Sequence, residues 1–580
     1  MLSSLNNRSI TASVFLVCFL LSLLLVQAMR QPMISSSAPR LLSDPFLQLP
    51  TTNSVRVVWF TEFAGSDHKV AYGNNLKSSA KANTTKLSRV REDRDSRLGK
   101  SQKDRNKQLT RRDIWRHEAE VTGLTPNARV SYRVTSVRED GKAFSSDKYT
   151  LAPKPTPGAP LKILLTSDHQ LKPMVAANLQ KVVETVGIDA VFMAGDLVNI
   201  PDRASEWFDD NRGGAFFPCL QGKANYKLAK AVYKGGEIIQ HAPIFTAVGN
   251  HEVMGRFGKS DSLGGEFDDA FPRKVAQQLQ AKQGKSDRTL EDNSFNTDTY
   301  EEIFTLPESS SGGKTYYATT FGDVRLVVLY ATNMWRSPNI DQDTKGKYQE
   351  RQQDLNHPER WGHGQVIFGD IAKGTPQYNW LVQELQSSEF RGAKYKIVML
   401  HHPLHSLGDN IVPAYTEPVP VVERNSDGSI KAVRYEYPKE ADYLIRDVIP
   451  LLEASGVQLV FYGHSHLWNR FVKPSGMHLL ETSNVGNSYG AAAKGNKQRQ
   501  VPPGNNKDYV AIGDPNGLEP IVPTIAPLLD KDGRPTPYIA SNDITIFSIF
   551  DTANGTISSY RFDTQKPGSK VVKFDEFKLN

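Results

Sequence analysis

The sequence predicts a β-sandwich followed by a larger α/β domain. From Asp44 to about Pro155, apolar and polar residues alternate in segments such as 54–60 and 130–137, with turn signals between them. After the proline-rich linker 153–160, apolar strands alternate with helical patterns, which is the β-α-β order of an α/β fold. At 580 residues and 39% hydrophobic content, the chain is long enough for the cores of both domains.

The first thirty residues differ from the rest. Polar residues 6–8 precede an apolar run from Val14 to Val26, and small Ala28 follows. This run is short for a membrane span, and its ending resembles a signal-peptidase site. We therefore expect a signal peptide at residues 1–28 and a secreted, periplasmic or cell-surface protein without a transmembrane span after cleavage. An uncleaved anchor is the alternative.

Charge is concentrated within the predicted sandwich. Residues 77–112 are rich in Lys, Arg, Ser and Asp, and the whole chain has a net charge of +7 and a pI near 9.0. The segment could bind a polyanion, but we expect a solvated excursion. The basic balance is compatible with anionic substrates or an anionic cell surface.

The second domain begins with a predicted strand at 161–167, a helix at 174–186 and a strand at 190–195. Residues 255–313 and 488–541 are polar and rich in Gly, Pro, Lys or Asp, so we expect long surface loops there. Further strands are predicted at 244–248, 324–330, 396–400 and 459–462, helices near 377–385 and 441–454, and a closing hairpin at 544–552 and 557–563.

Side chains of metal-binding type follow five of these strands. Ligands for one site gather where parallel strands end, because the side chains there face a shared crevice. Each residue alone has an ordinary alternative, since an aspartate can cap a helix, an asparagine can occupy a left-handed turn, and a histidine can pack in a core. Together they favour a metal site. The candidates are Asp168, Asp196, Asn250, His401 and the pair His464 and His466.

These residues resemble a known family in their order and motifs. The N-terminal segments 44–61 and 121–134 resemble the fibronectin-type domain that precedes the catalytic domain in purple acid phosphatases. The motifs Asp168, Gly195-Asp196, Gly249-Asn250-His251-Glu252, His401 two residues before Pro403, and Gly463-His464-Ser465-His466 resemble those of calcineurin-like metallophosphoesterases.

The resemblance covers most of the chain from Asp44 to about Ser483, and also the closing hairpin. It implies a fibronectin III-like β-sandwich at residues 40–155 and a four-layer α/β metallophosphoesterase domain with mixed β-sheets at residues 160–580. The implied activity is that of a metal-dependent phosphoric ester hydrolase, similar to an acid phosphatase. In such enzymes a hydroxide held between two metal ions attacks a phosphomonoester in line.

The resemblance also implies a role for each motif residue. Asp196 would bridge two metal ions (Fe, Mn or Zn), and His251 would stabilise the phosphoryl charge and assist the leaving group. Glu252 would orient its neighbours. Asp168 and His466 would hold the first metal; Asn250, His401 and His464 would hold the second; and Asn250, His251 and His405 would contact the phosphate ester substrate. No nucleic-acid partner is expected.

Two positions depart from the family pattern. Gln170 stands where most metallophosphoesterases have histidine, and Asn199 stands where the purple enzymes have the tyrosine that supplies a ligand and the colour. These departures argue against a tyrosinate-bound ferric site. Gln170 could bind the first metal through its amide oxygen, with Asn199 as the second candidate, or the first metal could be held weakly.

Two other functions are compatible with the same residues. The same metal pair would serve a phosphodiesterase acting on nucleotides or lipid headgroups. A non-catalytic cell-surface binding protein with a degenerate metal site is the alternative from another class. We expect His402 to pack near the site, and Trp335, Arg203 and Arg256 to be ordinary loop residues.

Overall fold

The computed structural model describes residues 41–99, 107–280, 287–336, 345–369, 371–408, 410, 416, 418–499, 501 and 509–580. The predicted signal peptide lies outside these ranges. Within them, no helix has both the length and the apolar character needed to cross a membrane.

The N-terminal part is the predicted β-sandwich. One sheet has the order β1-β2-β8-β5, and the other has the order β10-β9-β3-β4 with β11 paired to β9. Trp59, Tyr132 and Val134 pack between them in a core of their own. The strands are β1 (Phe46–Gln48), β2 (Val55–Thr61), β3 (Asp67–Tyr72), β4 (Ser78–Lys81), β5 (Asn83–Lys86), β6 (Arg91–Glu92), β7 (Thr110–Arg111), β8 (Trp115–Val121), β9 (Val130–Val137), β10 (Ala143–Ser145) and β11 (Tyr149–Leu151).

The C-terminal part contains two large mixed sheets. The remaining strands are β12 (Lys162–Thr166), β13 (Ala190–Met193), β14 (Tyr226–Leu228), β15 (Ala231–Tyr233), β16 (Ile244–Thr246), β17 (Tyr317–Phe321), β18 (Val324–Val328), β19 (Thr332–Trp335), β20 (Val366–Phe368), β21 (Tyr395–Met399), β22 (Val419–Arg424), β23 (Ile430–Glu436), β24 (Leu459–Tyr462), β25 (Trp468–Val472), β26 (His478–Thr482), β27 (Tyr538–Ile539), β28 (Ile544–Asp551), β29 (Thr556–Asp563) and β30 (Val572–Lys578).

The two sheets differ in how their parallel strands are joined to antiparallel ones. In the first sheet, β16-β13-β12-β28-β29-β30, the parallel strands β12, β13 and β16 adjoin an antiparallel meander. In the second, β17-β18-β21-β24-β26-β25-β27, strands β18, β21, β24 and β26 run parallel. The carboxyl ends of both parallel sets are available to build one site.

Four layers follow from the alternation of side chains along the strands of the second sheet. Leu326, Ile397 and Phe461 join the core shared with the first sheet, whereas their neighbours Val327, Val398 and Val460 pack under helices. Helices Pro376–Leu385 and Ile449–Ala454 lie on that outer face through Leu381 and Leu452. Helix Val175–Thr185 packs against the first sheet, where Asn178 donates hydrogen bonds to Thr545 and Ile546.

The predicted surface loop 255–313 is only partly a loop. It contains the helices Leu263–Phe267, Arg273–Gln280, Asp287–Asp292 and Asp298–Ile303. The first of them is capped by the Ser262 hydroxyl, which accepts a hydrogen bond from Gly265. The other helices are Ala204–Phe208, Phe216–Leu220, Lys345–Tyr348 and Ser388–Gly392, and a π-helical turn, Leu444–Val448, precedes Ile449–Ala454.

The charged excursion at 77–112 is only partly solvated. Strand β4 is mostly exposed, as predicted, but Arg89, Arg91, Glu92 and Asp93 are each at most 8% exposed. Because a buried charge needs a partner, Arg89, Arg91 and Asp93 form ion pairs with the C-terminal part of the chain, and Glu92 pairs with Arg112 of the same segment. Composition alone could not reveal those partners.

Candidate metal centre

Strand ends from both sheets meet in one buried cluster. Asp168, Asp196 and Asn250 follow β12, β13 and β16 in the first sheet, while His401 follows β21 and the pair His464 and His466 follows β24 in the second. These six side chains and that of Gln170 are at most 8% exposed. The structure therefore brings together all seven residues that the sequence singled out as metal ligands.

Asp196 belongs to two groups of possible ligand atoms. One group consists of Asp196, His401 and His464, the other of Asp168, Asp196 and His466, and within each the atoms lie within 4.8 Å of one another. A carboxylate shared by two such groups is what a bridging ligand requires.

The backbone is strained where it presents these ligands. Asp168, Asp196, His464 and His466 have φ values of 57°, 56°, 82° and 54°, in the left-handed region that residues with a side chain rarely adopt. Gly463 makes room for one of them, since a Cβ there would lie 2.3 Å from Asp168 Oδ2. The strained backbone at these strand ends lowers local stability, but it allows the ligands to converge.

The Asp196 carboxylate is the electrostatic centre of the cluster. Its Oδ1 lies 3.2 Å from His401 Nε2 and accepts a hydrogen bond from the His251 backbone at 3.0 Å. Burial by itself would raise the pKa of Asp196, but the charges of His401 and His251 lower it below its usual range. Conversely, burial lowers the pKa of His401 while Asp196 raises it, and the outcome is a pKa of about 10. A bound cation would take the place of the imidazole proton opposite Asp196.

Several buried atoms have no hydrogen-bond partner among the described residues. They are Asp168 Oδ1, Gln170 Oε1 and His464 Nε2. A buried polar atom without a partner is costly, so three of them in one cluster indicate a ligand. Gln170 also donates a hydrogen bond from Nε2 to Asp196 Oδ2 at 2.8 Å. Its amide oxygen is therefore the atom that can bind a metal ion. Carboxylate, amide and imidazole donors fit a pair of metal ions.

The histidines are oriented by backbone carbonyls. Nδ1 of His401 donates to Ala194 O at 2.7 Å, and Nδ1 of His466 donates to Asn487 O at 2.9 Å. Each ring therefore turns Nε2 towards the carboxylates, with His466 Nε2 at 3.4 Å from Asp168 Oδ1. This is the usual support of a metal-binding histidine.

His251 is oriented in the same way beside the cluster. Its Nδ1 donates to the backbone oxygen of Asn199 at 2.7 Å, and its Nε2 lies 4.0 Å from Asp196 Oδ2. The ring stacks on Phe267, with centroids 5.0 Å apart, and also contacts Trp335. Asn199, which stands in the place of the purple enzymes' tyrosine, thus meets the site through its main chain.

Two buried glutamates hold the ligand loops. Glu252 accepts hydrogen bonds from the backbone of Asp196, Leu197 and Gly249. Glu481 accepts one from the Ser465 backbone at 2.8 Å. Sequence reasoning missed Glu481, although a carboxylate at the end of the apolar strand β26 was a signal for it.

His402 and His405 lie close in sequence to the ligands but differ from them. The His402 ring packs against His464, with centroids 4.2 Å apart. His405 donates from Nδ1 to Asp514 Oδ2 at 2.7 Å, and its buried Nε2 has no hydrogen-bond partner among the described residues. Its hydrogen bonding leads to Asp514 rather than to any of the seven clustered residues.

Comparisons with known proteins agree with this geometry. Residues 161–467 match the family model for calcineurin-like phosphoesterases, and residues 43–151 match that for the purple acid phosphatase N-terminal domain. The match to the phosphoesterase model covers more than half of the chain.

Solved structures resemble the chain at the level of the fold. One is the purple acid phosphatase PPD1 from seeds of yellow lupin (Lupinus luteus), with 16% identity, a TM-score of 0.51, and coverage of 92% of this chain and 73% of that one. Another is PhoD, with 13% identity, a TM-score of 0.47, and coverage of 93% and 90%. A comparison with curated proteins gives no match. The predicted architecture, a β-sandwich before a mixed-sheet α/β domain, is confirmed.

Proposed function

Since the chain belongs to the calcineurin-like phosphoesterase family and is thus a metal-dependent phosphoric ester hydrolase, we propose that it hydrolyses phosphomonoesters at two metal ions. The observation that carries this proposal is the position of Asp196 in both groups of possible ligands. A phosphoryl group that spans two metals needs such a shared carboxylate between them.

We assign the ligands from the two groups of possible ligand atoms. Asp196 would be common to both metals. Asp168, His466 and the amide oxygen of Gln170 would hold the first metal, and Asn250, His401 and His464 would hold the second. When bound, the metal pair lowers the pKa of water to supply the nucleophile and offsets the phosphoryl charge.

The remaining roles belong to side chains around the metals. Because Nδ1 of His251 donates to Asn199, its Nε2 is the atom that faces the reaction. When the ring carries both protons, its Nε2–H stabilises charge on the phosphoryl group and gives its proton to the leaving oxygen as the P–O bond breaks. Asn250 and His405 are the other proposed substrate contacts.

We also propose Fe, Mn or Zn as the metals. The donors are carboxylate, amide and imidazole groups, which these ions accept, and the cysteine of the described chain, Cys219, lies buried elsewhere. Export after cleavage near Ala28, a sandwich at 40–155 and a catalytic domain at 160–580 complete the proposal. N-terminal sequencing of the mature protein tests the cleavage.

The central experiment compares wild type with Asp196→Asn. Metal content is measured by elemental analysis, and hydrolysis is measured with an aryl phosphomonoester and its diester. We expect two bound metals in the wild type, fewer in the variant, and a loss of monoester hydrolysis of at least about 10³-fold.

Asp551→Asn is the matched control. Asp551 pairs with Lys162 on the same sheet, but at the opposite end from the ligands. It should keep both metals and full activity. A higher rate on the diester than on the monoester would replace the proposed reaction by diester hydrolysis, and no hydrolysis with any of the three metals would leave a binding protein.

A further inference from the structure

A chain of buried contacts joins the N-terminal sandwich to His251. It starts at Asp93 in the charged segment and runs through Arg203 and Glu206 to the backbone of Asn199. None of these contacts involves a proposed metal ligand. Its members sit on three separate stretches of sequence, so the link exists only in the folded chain.

The first contacts in this series, from Asp93 to Glu206, are ionic. Nη2 of Arg203 donates to Asp93 Oδ2 at 2.9 Å, and Nη1 donates to Glu206 Oε1 at 2.9 Å. The three residues are 8%, 1% and 4% exposed, respectively. Since buried charges interact strongly and are screened little by salt, the Arg203 guanidinium fixes the Glu206 carboxylate.

The second half ends at the imidazole. Glu206 Oε2 accepts hydrogen bonds from the backbone N–H of Asn199 at 2.7 Å and of Ile200 at 3.1 Å. The carbonyl of Asn199 in turn accepts the Nδ1–H of His251 at 2.7 Å. Glu206 therefore sets the position of the loop whose carbonyl sets the tautomer and direction of the ring.

Asp93 of the sandwich makes a second contact that supports His251. Asp93 Oδ2 also accepts a hydrogen bond from Leu263 N, at the start of the helix Leu263–Phe267. Phe267 of that helix stacks on the His251 ring. Asp93 thus supports His251 along two routes, one through Arg203 and one through the aromatic contact.

We propose that Glu206, held by Arg203 and by Asp93 of the N-terminal sandwich, is a positioning residue for His251. The proposal rests on the role assigned above to His251. It gives the sandwich a part in catalysis: its charged segment completes the support of the group that acts on the leaving group.

The main test is a double-mutant cycle between Glu206→Gln and His251→Ala. We expect Glu206→Gln to lower kcat about tenfold, because small misplacements of an acting group cost that much or more. KM should stay within about twofold and both metals should remain bound. In the His251→Ala background, Glu206→Gln should cause no further loss.

The leaving group gives a second readout that a structural defect would not change. Aryl phosphates with good leaving groups should be affected least by Glu206→Gln, and alkyl phosphates most, because poor leaving groups depend on His251. An equal loss for all leaving groups, losses that multiply with His251→Ala, or loss of a metal would each overturn the proposal.

A matched pair of arginine variants controls for stability. Arg203→Met interrupts the proposed series of contacts. Arg89→Met removes another buried cation, which pairs with the carboxylates of Asp292 and Asp298 but has no link to Asn199. Only Arg203→Met should lower kcat selectively for poor leaving groups, even where Glu206→Gln fails to fold. Full activity of His251→Ala would instead reject the role of His251, and Asp196→Asn still tests the metal centre separately.

Discussion

Two buried groups of histidines in this chain have opposite surroundings. In the sandwich, His68 and His117 stack with centroids 3.7 Å apart. All four ring nitrogens have neutral partners: Ser136 and the Ala64 carbonyl for His68, and Thr61 and Thr84 for His117. In the metal centre, His401 and His466 face carboxylates, and His464 Nε2 has no hydrogen-bond partner among the described residues.

The difference separates a structural histidine from one that can bind a ligand. Burial lowers the pKa of His117 to about 3, so that pair stays neutral and its hydrogen bonds are complete. In the metal centre, by contrast, carboxylates and histidines converge on strained backbone, and several of their metal-binding atoms have no hydrogen-bond partner among the described residues. Burial and proximity of histidines are common to both, so the partners decide the role.

Replacement of a histidine in the metal centre should have the largest effect on activity. Changes to groups around a metal ligand cost about 10–100-fold, so we expect His464→Ala, which removes a ligand, to lower kcat/KM by about 10³-fold or more. Elemental analysis should find one metal fewer, with little change in folding. In contrast, His117→Ala should keep both metals and normal kcat but unfold at a lower temperature. Loss of metal in His117→Ala would break the comparison.

The pH dependence of stability should come from the sandwich pair. Because the pKa of His117 is about 3 in the folded state and 6.5 ordinarily, protons bind the unfolded chain first as the pH falls. Stability from this residue is complete well above pH 6.5 and is lost as the pH falls, by about 2 kcal/mol between pH 6.5 and 4.5. Urea unfolding of wild type and His117→Gln measures the slope.

The matched control for that slope is His357→Gln. His357 is an exposed histidine outside the sandwich, so this variant controls for the loss of a histidine as such. We expect His117→Gln to unfold with a shallower dependence on pH over the same interval. The same slope in both variants would mean that His117 accepts a proton in the folded protein.

Local signals explain what the sequence could predict. An apolar strand followed by a glycine and a metal-binding side chain is a local pattern, so the sequence predicts Asp196 and His464 as ligands. Because both follow parallel strands, it also predicts that they lie close together. The support of His251 was not visible in this way. Arg203 and Glu206 are close neighbours, but Asp93 lies 110 residues before Arg203, and its charge looked like part of a solvated segment. Trp335, expected to be an ordinary loop residue, ends strand β19 and contacts the His251 ring.

His405 is intermediate between the two groups and should show the smallest effect. One of its nitrogens has a hydrogen-bond partner, the Asp514 carboxylate, and the other has no partner among the described residues, like Nε2 of His464 in the metal centre. If Nε2 meets the leaving group, His405→Gln loses about one hydrogen bond, worth about 1 kcal/mol, and raises KM about fivefold with both metals retained. Steady-state kinetics with aryl monoesters of increasing size measure this, with His68→Gln as the control. An unchanged KM would place His405 with the structural histidines. It would mean that one free ring nitrogen does not bind substrate unless a carboxylate of the reaction centre lies beside it.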